Sequence, residues 1–177
     1  MPMTVRILGL GNVLMGDDGF GPTVLHDLEA RWEMPEGVEV HDLGTPGLDL
    51  IPFLSGADVV VIVDTVRANG APGDPRRYEK PEILQHAPHP RVSPHDPGVK
   101  EALLALEFGG QGPREVVLLG AIPARTDMST ELTPALRRAV PILVDAVVEE
   151  LRRRGLPPTR RPVPRDRQPW WQDRAEE

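Results

Sequence analysis

The sequence predicts an α/β fold: a single open, twisted, mostly parallel sheet with helices on both faces. Three observations carry that expectation. Short apolar runs alternate with helix-like segments through short loops, the pattern of layered α/β domains. The run Val59–Val63 has no polar face, as befits a strand in the middle of a parallel sheet covered on both sides. The segments that follow the apolar runs collect glycines, carboxylates and a histidine, and open α/β sheets bind ligands beyond the carboxyl ends of their strands.

In chain order, Val5–Leu10 reads as a buried first strand that stops at Gly11. Gly21-Pro22 opens a helix, with proline well placed at a first helical position, and Val24, Leu25, Leu28 and Trp32 recur at helical spacing. Val38–Leu43 alternates as a strand, followed by the turn Gly44-Thr45-Pro46-Gly47 and a short helix over Leu48–Leu54. Asp58–Val66 is the clearest strand. The Gly/Pro-rich loop Ala68–Arg76 leads to a weaker strand around Tyr78–Leu84, and then to the loop QHAPHPRVSPHDPG. A helix is expected from about Pro97 to Phe108 and a buried strand over Glu115–Ile122. Thr133-Pro134 supplies an N-cap and first-turn pair for a long helix to Arg154, bent at Pro141 and closed by Gly155.

At 177 residues and 19.5 kDa the chain has the size of one domain, and an apolar share of 40% is enough to form a core. The net charge of −7 is unevenly placed. Residues 151–177 hold eight arginines against four acids, so the preceding 150 residues carry −11. We therefore divide the chain into a domain over 1–155 and a Pro/Arg-rich tail over 156–177, expected to be mobile for want of apolar periodicity. The Trp170-Trp171 pair leaves a partner-docking role open for that tail. An acidic body is a poor binder of nucleic acid. No run is long enough to span a bilayer, and Met1–Arg6 has no signal-peptide pattern, so a cytoplasmic protein without a membrane role is expected. The absence of cysteine removes disulfides, thiolate metal sites and a thiol nucleophile together.

The site candidates follow from the strand ends. Asp64 directly follows five apolar residues, where a carboxylate is costly without compensation by metal ligation, a catalytic role or a backbone cap. Asp17 and Asp18 could cap the helix opening at Gly21, but two adjacent acids in an extended turn cannot both face a site. Of His86, His89 and His95, the last stands out because Ser93-Pro94 before it resembles a helix start. His26 and His41 read as packing or surface residues. Two carboxylates and one imidazole would suit a borderline divalent ion such as zinc or nickel, and would leave coordination positions open for hydrolysis. Gly9-x-Gly11 begins a dinucleotide fingerprint, but Leu14 stands where the third glycine belongs, and no P-loop follows.

Together GLGNVLMGDDGFGP, HDLGTPG, VVVIVDTV, SPHDPG and VVLLGAIP resemble the hydrogenase maturation proteases over about residues 4–153. These endopeptidases trim the C-terminal extension from the large subunit of [NiFe] hydrogenases. The resemblance implies a twisted sheet with helices on both sides, and metal contacts at Asp18, Asp64 and His95 that are also the catalytic set. Where some members carry Glu at the first of these positions, this chain has the shorter Asp18. Substrate recognition is assigned at Asp42, Gly44, Thr45 and Asp17. The implied nickel is carried by the substrate and not resident, with zinc or cadmium as substitutes in vitro. The implied partner is a large-subunit precursor, and a monomer is expected. A Rossmann-like nucleotide binder and a non-catalytic partner-binding relative remain as alternatives.

Overall fold

The computed structural model describes residues 3–86, 98–166 and 168–172. Its elements in chain order are β1 (Val5–Leu10), a 3-10 turn (Gly16–Gly19), α1 (Phe20–Arg31), β2 (Trp32–Glu33), β3 (Val38–Gly44), a second 3-10 turn (Gly47–Leu50), α2 (Ile51–Leu54), β4 (Val59–Thr65), β5 (Pro75–Glu79), α3 (Lys80–His86), α4 (Val99–Phe108), β6 (Glu115–Ala121), α5 (Pro134–Arg153) and β7 (Thr159–Arg160). Five strands form one sheet in the order β3-β1-β4-β6-β5. Every neighbouring pair is parallel except β5 and β6.

The all-apolar run in β4 serves two cores at once. Side chains alternate across a strand. Val59, Val61 and Val63 join the core beneath α1 and α5, while Val60 and Ile62 join the core formed with α2, α3 and α4. β1 and β6 divide in the same way, with Ile7, Val117 and Leu119 on the first side and Leu8, Val116 and Leu118 on the second. The residues of α5 that face the sheet (Leu136, Ala139, Val140, Leu143, Val144, Val147, Val148 and Leu151) recur at three- and four-residue intervals and are buried. Pro141 lies on the exposed side of that helix, which runs through it without interruption.

Glycines let α1 seat directly on the sheet. A side chain at Gly21 would strike the Leu10 and Val63 carbonyls, and one at Gly9 would meet Leu25 at 2.7 Å. The glycine-rich stretch thus serves close packing of helix on strand, with no phosphate cradle needed to explain it.

Two expectations are corrected. The weak strand placed around Tyr78–Leu84 lies earlier, at Pro75–Glu79, and the chain then turns into α3. The Glu82 carboxylate accepts a hydrogen bond from the Glu79 N–H at 2.8 Å, and Pro81 favours a helix start. The segment after Leu156, expected to lack packing partners, has them. β7 pairs antiparallel with β2. The Arg161 and Arg165 N–H groups donate to the Arg31 and Ala30 carbonyls, both at 2.8 Å. Trp171 is only 4% exposed and meets His26 edge to face at 6.0 Å between ring centroids. Apolar periodicity could not reveal this clasp, because it is held by backbone pairing and one buried aromatic anchor, Trp171. No helix among the described residues is long and apolar enough to cross a membrane.

Candidate active site at the carboxyl edge of the sheet

The strand order makes the first assignment. From β1 the chain crosses through α1 to β3 on one side, whereas from β4 it continues to β6 on the other. The direction therefore reverses between the adjacent strands β1 and β4, and the crevice beyond their carboxyl ends is where such sheets bind ligands. The loops that open into it are those after Leu10 and Thr65, which hold Asp17, Asp18 and Arg67, with Asp64 at the strand end itself.

Asp64 is completely buried, and its Oδ1 accepts the Thr65 N–H at 2.8 Å. It occupies the same face of β4 as Val60 and Ile62, the side covered by α4. Asp18 lines a cleft of about 110 Å³ together with Thr65, Val66, Arg67 and the segment Pro123–Thr126. Its Oδ2 accepts the Asn12 N–H at 3.1 Å, which ties the carboxylate to the loop after β1. Gly11 permits this fold of the loop, since its φ is +150° and a side chain there would run into the Asp18 carbonyl.

The adjacent carboxylate is engaged within the protein. Asp17 is fully buried and accepts four hydrogen bonds: from Ala124 N–H (2.8 Å), Arg125 N–H (3.1 Å), Thr133 N–H (2.7 Å) and the Thr133 hydroxyl (2.9 Å). Its own N–H donates to the Arg125 carbonyl at 2.9 Å. Asp17 therefore locks the 3-10 turn to the loop after β6 and to the start of α5. The expectation that it recognises substrate is corrected, because its carboxylate is fully engaged inside the protein. It also does not cap α1, the structural role open to it from the sequence. The partners that hold it lie more than a hundred residues away, so nothing local signalled them.

Asp42, Gly44 and Thr45 sit at the end of β3. Gly9 of β1 pairs with Asp42 on one side and with Val63 on the other. At about 4.8 Å between strands, Asp42 is about 10 Å across the sheet from the β4 line. It also lies on the opposite face from His41, whose ring contacts Phe53 of α2 at 5.2 Å, and so on the opposite face from Asp64. Asp42 Oδ1 accepts the Gly44 N–H at 3.2 Å, and Gly44 holds the turn at a φ of +60°. Burial of the Asp42 carboxyl raises its pKa above the ordinary value, while the Gly44 N–H opposes the shift. The Gly44 carbonyl accepts the Gly11 N–H at 2.8 Å, so this turn is tied to the first loop of the crevice. Thr45 is exposed beside it.

His89 and His95 lie outside the described residues, as does most of the loop that carries them. Among the described residues no group of three or more His, Cys, Asp or Glu side chains could hold a metal ion. The sequence reading overlooked Arg67 and Arg125, the two cations of the cleft. A signal for Arg67 was present, since it follows the end of the most certain strand by two residues.

A parallel-sheet crevice with a buried carboxylate on one strand end and a second carboxylate on the neighbouring loop places this chain among α/β proteins with an acidic switch-point site. The family follows from comparison with known proteins. The hydrogenase maturation protease profile matches residues 22–150, and the chain belongs to that family. It is 32% identical to the hydrogenase 2 maturation protease of Escherichia coli (strain K12) over 158 residues, covering 87% of this chain and 94% of that protein. Among solved structures, the hydrogenase maturating endopeptidase HybD from E. coli superposes with a TM-score of 0.83 at 31% identity, over 90% of this chain and 98% of that one. A hydrogenase 2 maturation peptidase from Thaumarchaeota archaeon SCGC_AB-539-E09 matches with a TM-score of 0.64 at 34% identity, over 84% and 97% of the two chains. These likenesses agree with the sheet, which is mostly parallel with helices on both faces.

Proposed function

We propose that this chain is an endopeptidase that removes the C-terminal extension of a [NiFe] hydrogenase large-subunit precursor after nickel insertion, acting as a cytoplasmic monomer. The observation that carries the reading is the buried Asp64 carboxylate at the switch point, next to a crevice whose neighbouring loop presents Asp18. The chain has no cysteine to serve as a nucleophile. In this reading nickel arrives as part of the substrate. Asp18, Asp64 and His95 contact it, zinc or cadmium can take its place in vitro, and the bound precursor brings its scissile bond to an activated water. Two oxygen donors and an imidazole suit such an ion.

A nucleotide-binding role is disfavoured by packing, because the glycines beside the cleft are filled by α1 and neighbouring backbone. The test is cleavage of purified precursor with and without inserted nickel. Processing of the loaded form only is expected, and Asp64→Asn and His95→Ala should each reduce it by at least a hundredfold while thermal unfolding stays cooperative. Equal cleavage of both precursor forms would remove the nickel requirement, and active variants would remove the assigned residues.

A further inference from the structure

We propose that Arg67 determines substrate specificity by receiving a carboxylate of the peptide that occupies the cleft beside Asp18. The inference rests on the peptidase reading and names a chemical requirement on its substrate. Arg67 is exposed at the mouth of the cleft, just past the carboxyl end of β4. No hydrogen bond or ion pair among the described residues engages its guanidinium. Several other cations of the acidic body are occupied: Arg6 by Glu39, Arg76 by Asp74, Arg77 by Glu150 and Lys80 by Glu107. Arg125, the second arginine of the cleft, is paired with Asp127 at 2.9 Å. A guanidinium with no partner among the described residues, within a body of net charge −11, is a selective attractor for an anion.

The size and walls of the cleft define what kind of anion this is. About 110 Å³ accommodates one short side chain, and Val66, Pro123 and Ala124 form part of its wall. Guanidinium binds carboxylate through two parallel N–H···O bonds, which suits an Asp or Glu side chain or a chain terminus. Asp18 lines the same cleft, so the cavity carries an acid and a base. An incoming anion is drawn to Arg67, which anchors the peptide at one end of the cleft beside Asp18. Arg67 is thus a binding residue, so its loss should weaken substrate capture and leave turnover of bound substrate intact.

The experiment is steady-state cleavage of the nickel-loaded precursor by the full chain. Arg67→Glu is expected to raise KM about tenfold to a hundredfold with kcat within about twofold. Arg67→Lys should fall between, since it keeps the charge and loses the fork. Arg138→Glu makes the same charge change on the exposed side of α5 and should leave both constants as they are. Two sets of precursors locate the anion. If KM responds to neutralising Asp or Glu near the scissile bond, the carboxylate is a side chain. If it responds only to residues appended at the end of the extension, it is the chain terminus. Insensitivity to both, or a fall in kcat at unchanged KM in Arg67→Glu, overturns the proposal. A wild-type chain that cleaves no loaded precursor refutes the peptidase reading itself and this proposal with it.

Discussion

Replacing Asp17 by asparagine tests whether that carboxylate is the knot tying three loops together. Asparagine keeps the shape but has one acceptor oxygen and an NH2 group that can only donate. Oδ2 serves Ala124 N–H, Arg125 N–H and the Thr133 hydroxyl, whereas Oδ1 serves only Thr133 N–H. The least damaging orientation keeps the oxygen towards the first three and turns the NH2 against Thr133 N–H. That leaves one buried donor facing another, at roughly 1–3 kcal/mol, and lowers the charge assistance of the remaining bonds by a few tenths each. We therefore expect Asp17→Asn to lose about 2–4 kcal/mol of unfolding free energy, read from urea midpoints at unchanged m-value. Asp17→Ala strands all four donors and should approach the whole stability of a domain this size. An Asp17→Asn variant within about 1 kcal/mol of wild type would refute the reasoning, since it would mean that water or relaxation satisfies the donors.

Two further perturbations probe other parts of the fold. Glu150 is 3% exposed and receives Arg77 Nε and Arg154 Nη1, each at 2.6 Å; burial raises its pKa, but the two guanidinium bonds outweigh this and hold it below the ordinary value of 4.5. A depressed carboxylate stabilises the native state above its unfolded pKa and loses that contribution as pH falls through the folded value. Glu150→Gln should therefore cost about 1–3 kcal/mol at pH 7 and show a flatter loss of stability than wild type below about pH 4.5, measured by urea titration across pH; parallel curves would contradict this. Trp171→Ala should cost roughly 3–5 kcal/mol by removing the buried anchor of the terminal clasp, and a thermal midpoint unchanged to within a degree would show that this anchor contributes nothing.

What could be read in advance depended on whether the cause was local. β4 was legible because five apolar residues in a row have one structural solution, burial on both faces. α5 was legible from its Thr133-Pro134 start and its Gly155 close. The carboxyl-edge position of Asp18 and Asp64 followed from strand order once the strands were placed. β5 was misplaced because PRRYE carries one apolar residue, so its strand character comes from pairing with β6. Asp17 and Asp18 are chemically identical neighbours, and only contacts from loops more than a hundred residues away decide which turns inward. The terminal clasp eluded the same reading: much of it is backbone pairing, which apolar periodicity does not encode.

That clasp has a consequence for the order in which the molecule is made. The Arg161 guanidinium reaches the Glu29 carbonyl across 132 residues of sequence, and β7 closes on β2 over a similar span. Closing so long a loop costs little extra free energy, because the penalty grows only logarithmically, but such distant contacts form slowly. Every described residue of the crevice lies between Gly11 and Thr133, so on a ribosome the crevice can assemble while residues 159–171 are still unmade. The protein would then hold its cutting edge before it gains its final fastening, and the terminal segment would set how long the finished enzyme lasts more than whether it works.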